Sequence, residues 1–133
     1  MRKFLPLFFL LALLSCKEPL SREYFVPGEG PYEFSVSMTD TSAVYDLDFY
    51  TRVDAMAFPP ETALEITWTA PSDSVFRETV YLPLSAEVYA PYRKACVPSE
   101  YGVWKLTVAV PEAKFIGEFR GLGLVVKRSH GTR

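Results

Sequence analysis

One histidine, two cysteines and seven glycines in 133 residues leave several chemistries without material. So small a set of His and Cys furnishes neither a zinc cluster nor a nucleophile relay built on histidine. The pairs Gly28-Glu29-Gly30 and Gly121-Leu122-Gly123 are too short for phosphate loops, and neither opens a helical pattern. Positive charge is not in excess either. Fourteen basic against 16 acidic residues give a net charge of -2, with no cationic footprint for nucleic acid. Low complexity is also missing: 49% of the chain is hydrophobic and 23% charged, which excludes a disordered protein. Proline and aromatic residues are plentiful, at eleven prolines and 15% aromatics, and they favour strands and turns over a helix bundle.

No apolar run is long enough for a permanent membrane span. The longest, Phe4 to Leu14, falls well short of the roughly 20 residues that a helix needs to cross a bilayer. It follows Arg2 and Lys3 and ends at Leu13-Leu14-Ser15-Cys16. A positive start, an apolar run and a small residue before a cleavage point form a secretory signal peptide over residues 1–15. The final four residues resemble the bacterial lipobox, which implies that Cys16 becomes the lipidated, palmitate-bearing N-terminus of a lipoprotein. More than one acyl chain on that residue is what stable anchoring requires. Removal of the signal takes two basic residues and no acidic one, so the remaining body is more acidic than the whole chain. With Cys16 capped by lipid, Cys96 has no internal disulfide partner. It reads as a buried small hydrophobe, or as an intermolecular disulfide in an oxidising envelope.

Residues 16–31 read as a linker: Pro19, Pro27 and Pro31 with mixed charges show no sustained period. From Tyr32 the pattern turns to period two, the strand signature. Tyr32, Phe34, Val36 and Met38 form the first apolar face. Similar faces follow at Tyr45, Leu47 and Phe49, at Leu64, Ile66 and Trp68, and at Val80, Leu82 and Leu84. Two more comprise Trp104, Leu106, Val108 and Val110, then Leu122, Leu124 and Val126. The strand around Val80 is expected at an edge because of Pro83. Pro71-Ser72-Asp73-Ser74 is expected to close a hairpin. Strands with one apolar face must bury those faces against one another. The expectation is an all-β domain over residues 32–128, an antiparallel two-sheet sandwich of six to seven strands, immunoglobulin-like or jelly-roll-like. Residues 129–133, with His130, read as a flexible tail.

The carboxylates of Asp46 and Asp48 share one strand face, an arrangement that could hold Ca²⁺ or act as an acid/base pair. Their alternation with Tyr45, Leu47 and Phe49 points instead to a solvated outer face. Trp68 and Trp104 keep step with aliphatic neighbours and read as core before sugar platforms. Residues 85–101 read as a long irregular connection between sheets, with a short helical turn near residues 87–92. It gathers Tyr89, Tyr92, Arg93 and Tyr101, residue types that anchor interfaces, and these are the candidate partner-binding set. No nucleophile stands beside a base in motif form, so no catalytic residue, metal or cofactor is expected.

Three stretches carry a family likeness: Tyr45-Asp46-Leu47-Asp48-Phe49-Tyr50-Thr51-Arg52, then Phe58-Pro59-Pro60 with Leu64-Glu65-Ile66, and Phe119-Arg120-Gly121-Leu122-Gly123-Leu124-Val125-Val126-Lys127. They resemble the gliding-motility lipoprotein GldH family of Bacteroidota. Val53 stands where that family has Asn. The resemblance implies a non-enzymatic accessory lipoprotein of the cell envelope, anchored in the outer membrane through Cys16 and docking an envelope protein. The alternative is a surface lipoprotein that binds glycan through exposed aromatics. The discriminating observation is whether Tyr89, Tyr92 and Tyr101 share an open surface.

Overall fold

The computed structural model describes residues 20–28, 30–52, 61–84, 89–111 and 120–130. The expected signal peptide, Cys16 and the Phe58-Pro59-Pro60 turn lie outside them. The described chain forms eight strands: β1 (Ser21–Pro27), β2 (Tyr32–Met38), β3 (Val44–Thr51), β4 (Thr62–Thr69), β5 (Val75–Leu82), β6 (Ala90–Cys96), β7 (Gly102–Ala109) and β8 (Gly121–Ser129). They make two four-stranded antiparallel sheets, ordered β1-β8-β3-β6 and β2-β7-β4-β5. The first strand pairs with the last, the second with the second-last, and so inward to the β4–β5 hairpin. One long antiparallel ribbon has thus rolled up, which is jelly-roll topology. Of the two sandwich forms expected, the strand order selects this one.

The period-two faces meet as expected. Tyr32, Phe34, Val36, Leu47, Phe49, Leu64, Ile66, Leu106, Val108, Leu122 and Leu124 are buried between the sheets. The expected hairpin is present. The Ala70 N–H donates to Ser74 O and the Asp73 N–H to Ala70 O, both at 2.8 Å. Asp73 takes the left-handed conformation at φ 71°, which Asp tolerates better than most residues. β5 is an edge strand, also as expected.

Four expectations are corrected. The described residues form eight strands rather than six to seven. Residues 21–27 are not linker but β1, because Tyr24 and Val26 turn inward against Leu124 and Leu122 while Phe25 packs on the outer side over Tyr50. With both faces covered, the strand loses its alternation. Residues 90–96 are not irregular loop or helical turn but β6, an edge strand with a bulged register against β3. An edge position tolerates Pro91. His130 is not part of a free tail, since its Nε2 lies 2.9 Å from Asp40 Oδ2, where Arg128 also pairs.

Candidate functional site

The edge strands β5 and β6 belong to different sheets and face each other across one side of the sandwich without backbone pairing, and a cleft opens there. Its volume is about 390 Å³, within the range of small-molecule sites. The floor is Leu47, Met38, Trp68 and Trp104, and the mouth carries Phe76, Val97 and Pro98 together with Arg77, Glu78 and Arg93. Trp68 and Trp104 meet edge-to-face at 5.9 Å, and Phe76 lies tilted over Trp104 at 6.2 Å. Phe76 remains 51% exposed, a large ring at the entrance with little over it.

The register explains how polar groups come to the cleft. Trp68 pairs with Phe76 and Ile66 with Glu78 across β4 and β5, so Glu78 lies on the inner face of the edge strand. It is met there by Tyr92 and Arg93 of β6. The Trp68 Nε1–H donates to Tyr92 Oη at 2.9 Å, and the Tyr92 hydroxyl donates to Glu78 Oε2. Arg93 Nη2 pairs with the same carboxylate oxygen at 2.6 Å, its guanidinium 5.0 Å from the Tyr92 ring centre. Trp104 Nε1–H is engaged as well, by Glu100 O at 2.9 Å. Burial, and next the Glu78 carboxylate, push the Tyr92 hydroxyl up to about 12. Burial also pushes the Cys96 thiol up, against a smaller opposing effect of Arg93. A phenol and a thiol shifted this way stay protonated and are poor bases and nucleophiles.

The structure does not bring the four expected partner-binding residues onto one surface. Tyr92 turns inward, packing on Phe49 at 5.3 Å between ring centres. Arg93 belongs to the cleft mouth. Tyr89 is 45% exposed at the start of β6 and Tyr101 is 41% exposed beyond its end, so the two lie at opposite ends of the sandwich. Tyr89 stands on the outer face of the first sheet. Its hydroxyl donates to Glu23 Oε1 at 3.2 Å and its ring lies 5.3 Å from Tyr50. Nor is the Asp46–Asp48 face solvated, as the alternation suggested. Asp46 Oδ1 accepts from the Ala95 N–H at 2.7 Å, where β6 bulges, and Asp48 is buried. Among the described residues, no group of three or more His, Cys, Asp or Glu could hold a metal ion.

Trp68 and Trp104 were legible only as core, and Phe76 and Glu78 not as site residues at all. The signal was available: extending the Val80 face backwards by twos reaches Glu78 and then Phe76, a carboxylate placed on an apolar face. Comparison with protein-family models, curated proteins and solved structures returns no match for this chain. The described fold defines it as a jelly-roll β-sandwich with a cleft between the edge strands β5 and β6.

Proposed function

We infer that this chain is a lipid-anchored protein of a bacterial envelope that binds its ligand in the cleft between β5 and β6 and does not transform it. The observation that carries binding over turnover is the mutual satisfaction of the polar groups at the cleft. Glu78 is neutralised by Arg93 and hydrogen-bonded by Tyr92, and both indole N–H groups are spent inside the protein. Among the described residues there, the Tyr92 phenol and the Cys96 thiol are both raised and stay protonated at neutral pH. The mutual satisfaction also weighs against glycan, which needs several free polar partners around its stacking rings. Docking through Tyr89, Tyr92, Arg93 and Tyr101 together is set aside, because those residues occupy separate places.

The anchor rests on Arg2-Lys3, the apolar run and Leu13-Leu14-Ser15-Cys16. Among the described residues no helix is long and apolar enough to cross a membrane, and lipid on Cys16 would supply the attachment. The likeness to gliding-motility lipoproteins of Bacteroidota supports a finer reading, an accessory component at the outer membrane. Metabolic labelling with an alkyne fatty acid tests the anchor. Wild type is expected to take the label and Cys16→Ala to lose it; equal labelling contradicts the reading.

A further inference from the structure

Large apolar side chains are exposed mainly at one end of the sandwich. Leu20 precedes β1, Val75 and Phe76 begin β5, Val97 follows β6, and Tyr101 and Val103 stand at the start of β7. All six lie at the end where β2 finishes and β7 begins. The cleft opens at this end too, through Phe76 and Val97. The chain also enters the fold here: the Arg128 N–H holds Leu20 O at 2.8 Å. Cys16 lies four residues earlier, and four residues span at most ~14 Å. A lipid on Cys16 therefore keeps this end, and the cleft mouth with it, beside the bilayer.

What the cleft offers a ligand is hydrocarbon. Its floor is two indoles whose N–H groups are engaged elsewhere, together with Met38 and Leu47. Its mouth has a net positive charge, with Arg77 and Arg93 against Glu78. We propose that the cleft receives a single acyl chain of an anionic amphiphile, tail on Trp68 and Trp104 and acid group at Arg77, since Arg93 is paired with Glu78. This rests on the envelope-lipoprotein reading for the orientation of the mouth. The shape and lining of the site stand without it. The chain can come from a free fatty acid or from a lipid of the adjacent bilayer, since both present the same tail.

Intrinsic fluorescence reads the site directly, because the chain has only two tryptophans and both line the cleft. The full chain in dioleoylphosphatidylcholine vesicles is titrated with a fatty acid dibrominated at mid-chain. Saturable quenching is expected, and Phe76→Glu, which puts a charge at an exposed position of the mouth, is expected to weaken it about tenfold. Arg77→Glu is expected to weaken the acid and spare a brominated alcohol of equal length. The acid is also expected to slow alkylation of Cys96 at the cleft wall. Vesicles whose phospholipids carry the bromine, with no acid added, show whether the bilayer supplies the chain. Quenching that never saturates and is equal in Phe76→Glu overturns the proposal, as does unchanged Cys96 alkylation at full quenching. Fatty-acid labelling of Cys16 reports the anchor separately, so either reading can fail alone.

Discussion

Two aromatic clusters sit at opposite ends of the sandwich, and they differ in what lies beneath them. On the outer face of the first sheet, Phe25, Tyr50 and Tyr89 form a row across β1, β3 and the start of β6. Phe25 stacks on Tyr50 at 6.1 Å between ring centres. Arg52 lies over the Phe25 ring at 4.3 Å. Below this row is Gly123 of β8, paired with Phe25 on one side and Tyr50 on the other. A Cβ at that glycine would overlap the Tyr50 ring, so the absent side chain is the space the ring fills. Tyr50 is only 6% exposed although it points away from the core. In the cleft, Trp68, Trp104 and Phe76 stand over a gap instead of a backbone. Aromatic rings that close on a glycine stabilise the fold, whereas rings that line an opening leave surface for something else to cover.

The comparison breaks first at Tyr50. Tyr50→Ala is expected to cost about 3–5 kcal/mol, the range for truncating a buried aromatic, read from the urea midpoint at constant slope. Gly123→Ala follows at about 1–3 kcal/mol, an overpacking cost. The two are not additive. Once Tyr50 is Ala, the change at Gly123 should become almost free, and a double-mutant cycle measures that coupling. Full additivity would mean that the ring does not rest on the glycine.

At the other cluster the costs are smaller and one depends on pH. Below the ordinary tyrosine value of 10.0, folded and unfolded chains both keep the Tyr92 proton, and stability does not depend on it. Between there and about 12 the unfolded chain loses the proton while the folded chain retains it, so stability falls as pH rises. Tyr50 and Tyr89, also raised, add to the fall. Tyr92→Phe should flatten it in part, as alkaline unfolding curves would show. Phe76→Ala, at the open mouth, is expected to stay within about 0.5 kcal/mol of wild type. Lys105→Ala should do the same, since its ion pair with Glu33 at 3.2 Å is exposed on both sides.

The sequence disclosed strands best where a strand has one wet face and one dry. β2, β4 and β7 alternate plainly, and the core they form is the one their apolar positions indicate. Legibility fails at the ends of the first sheet and on its outer side. β1 hides because Tyr24 and Val26 go inward and Phe25 finds its own cover, so no residue pattern marks a face. β6 hides because Pro91 and a bulged register against Tyr45 and Leu47 interrupt the period at an edge. Val125, Asp48 and Tyr50 are buried on the side that alternation assigns to water, since β8 and β3 are the central pair and their outer face is covered. The candidate site was harder still. Its two tryptophans are indistinguishable in sequence from core, and only the three-dimensional gap between β5 and β6 separates a packed indole from one that lines a cleft.

The central claim is that one aromatic cluster is open to an acyl chain and the other is closed. Nuclear magnetic resonance of the full chain in lipid nanodiscs reads both at once while a fatty acid is added. The indole N–H signals of Trp68 and Trp104 should move along a saturable curve, while the Gly123 amide under Tyr50 stays where it was. Stationary indole signals, or a Gly123 amide that moves with them, would contradict the account.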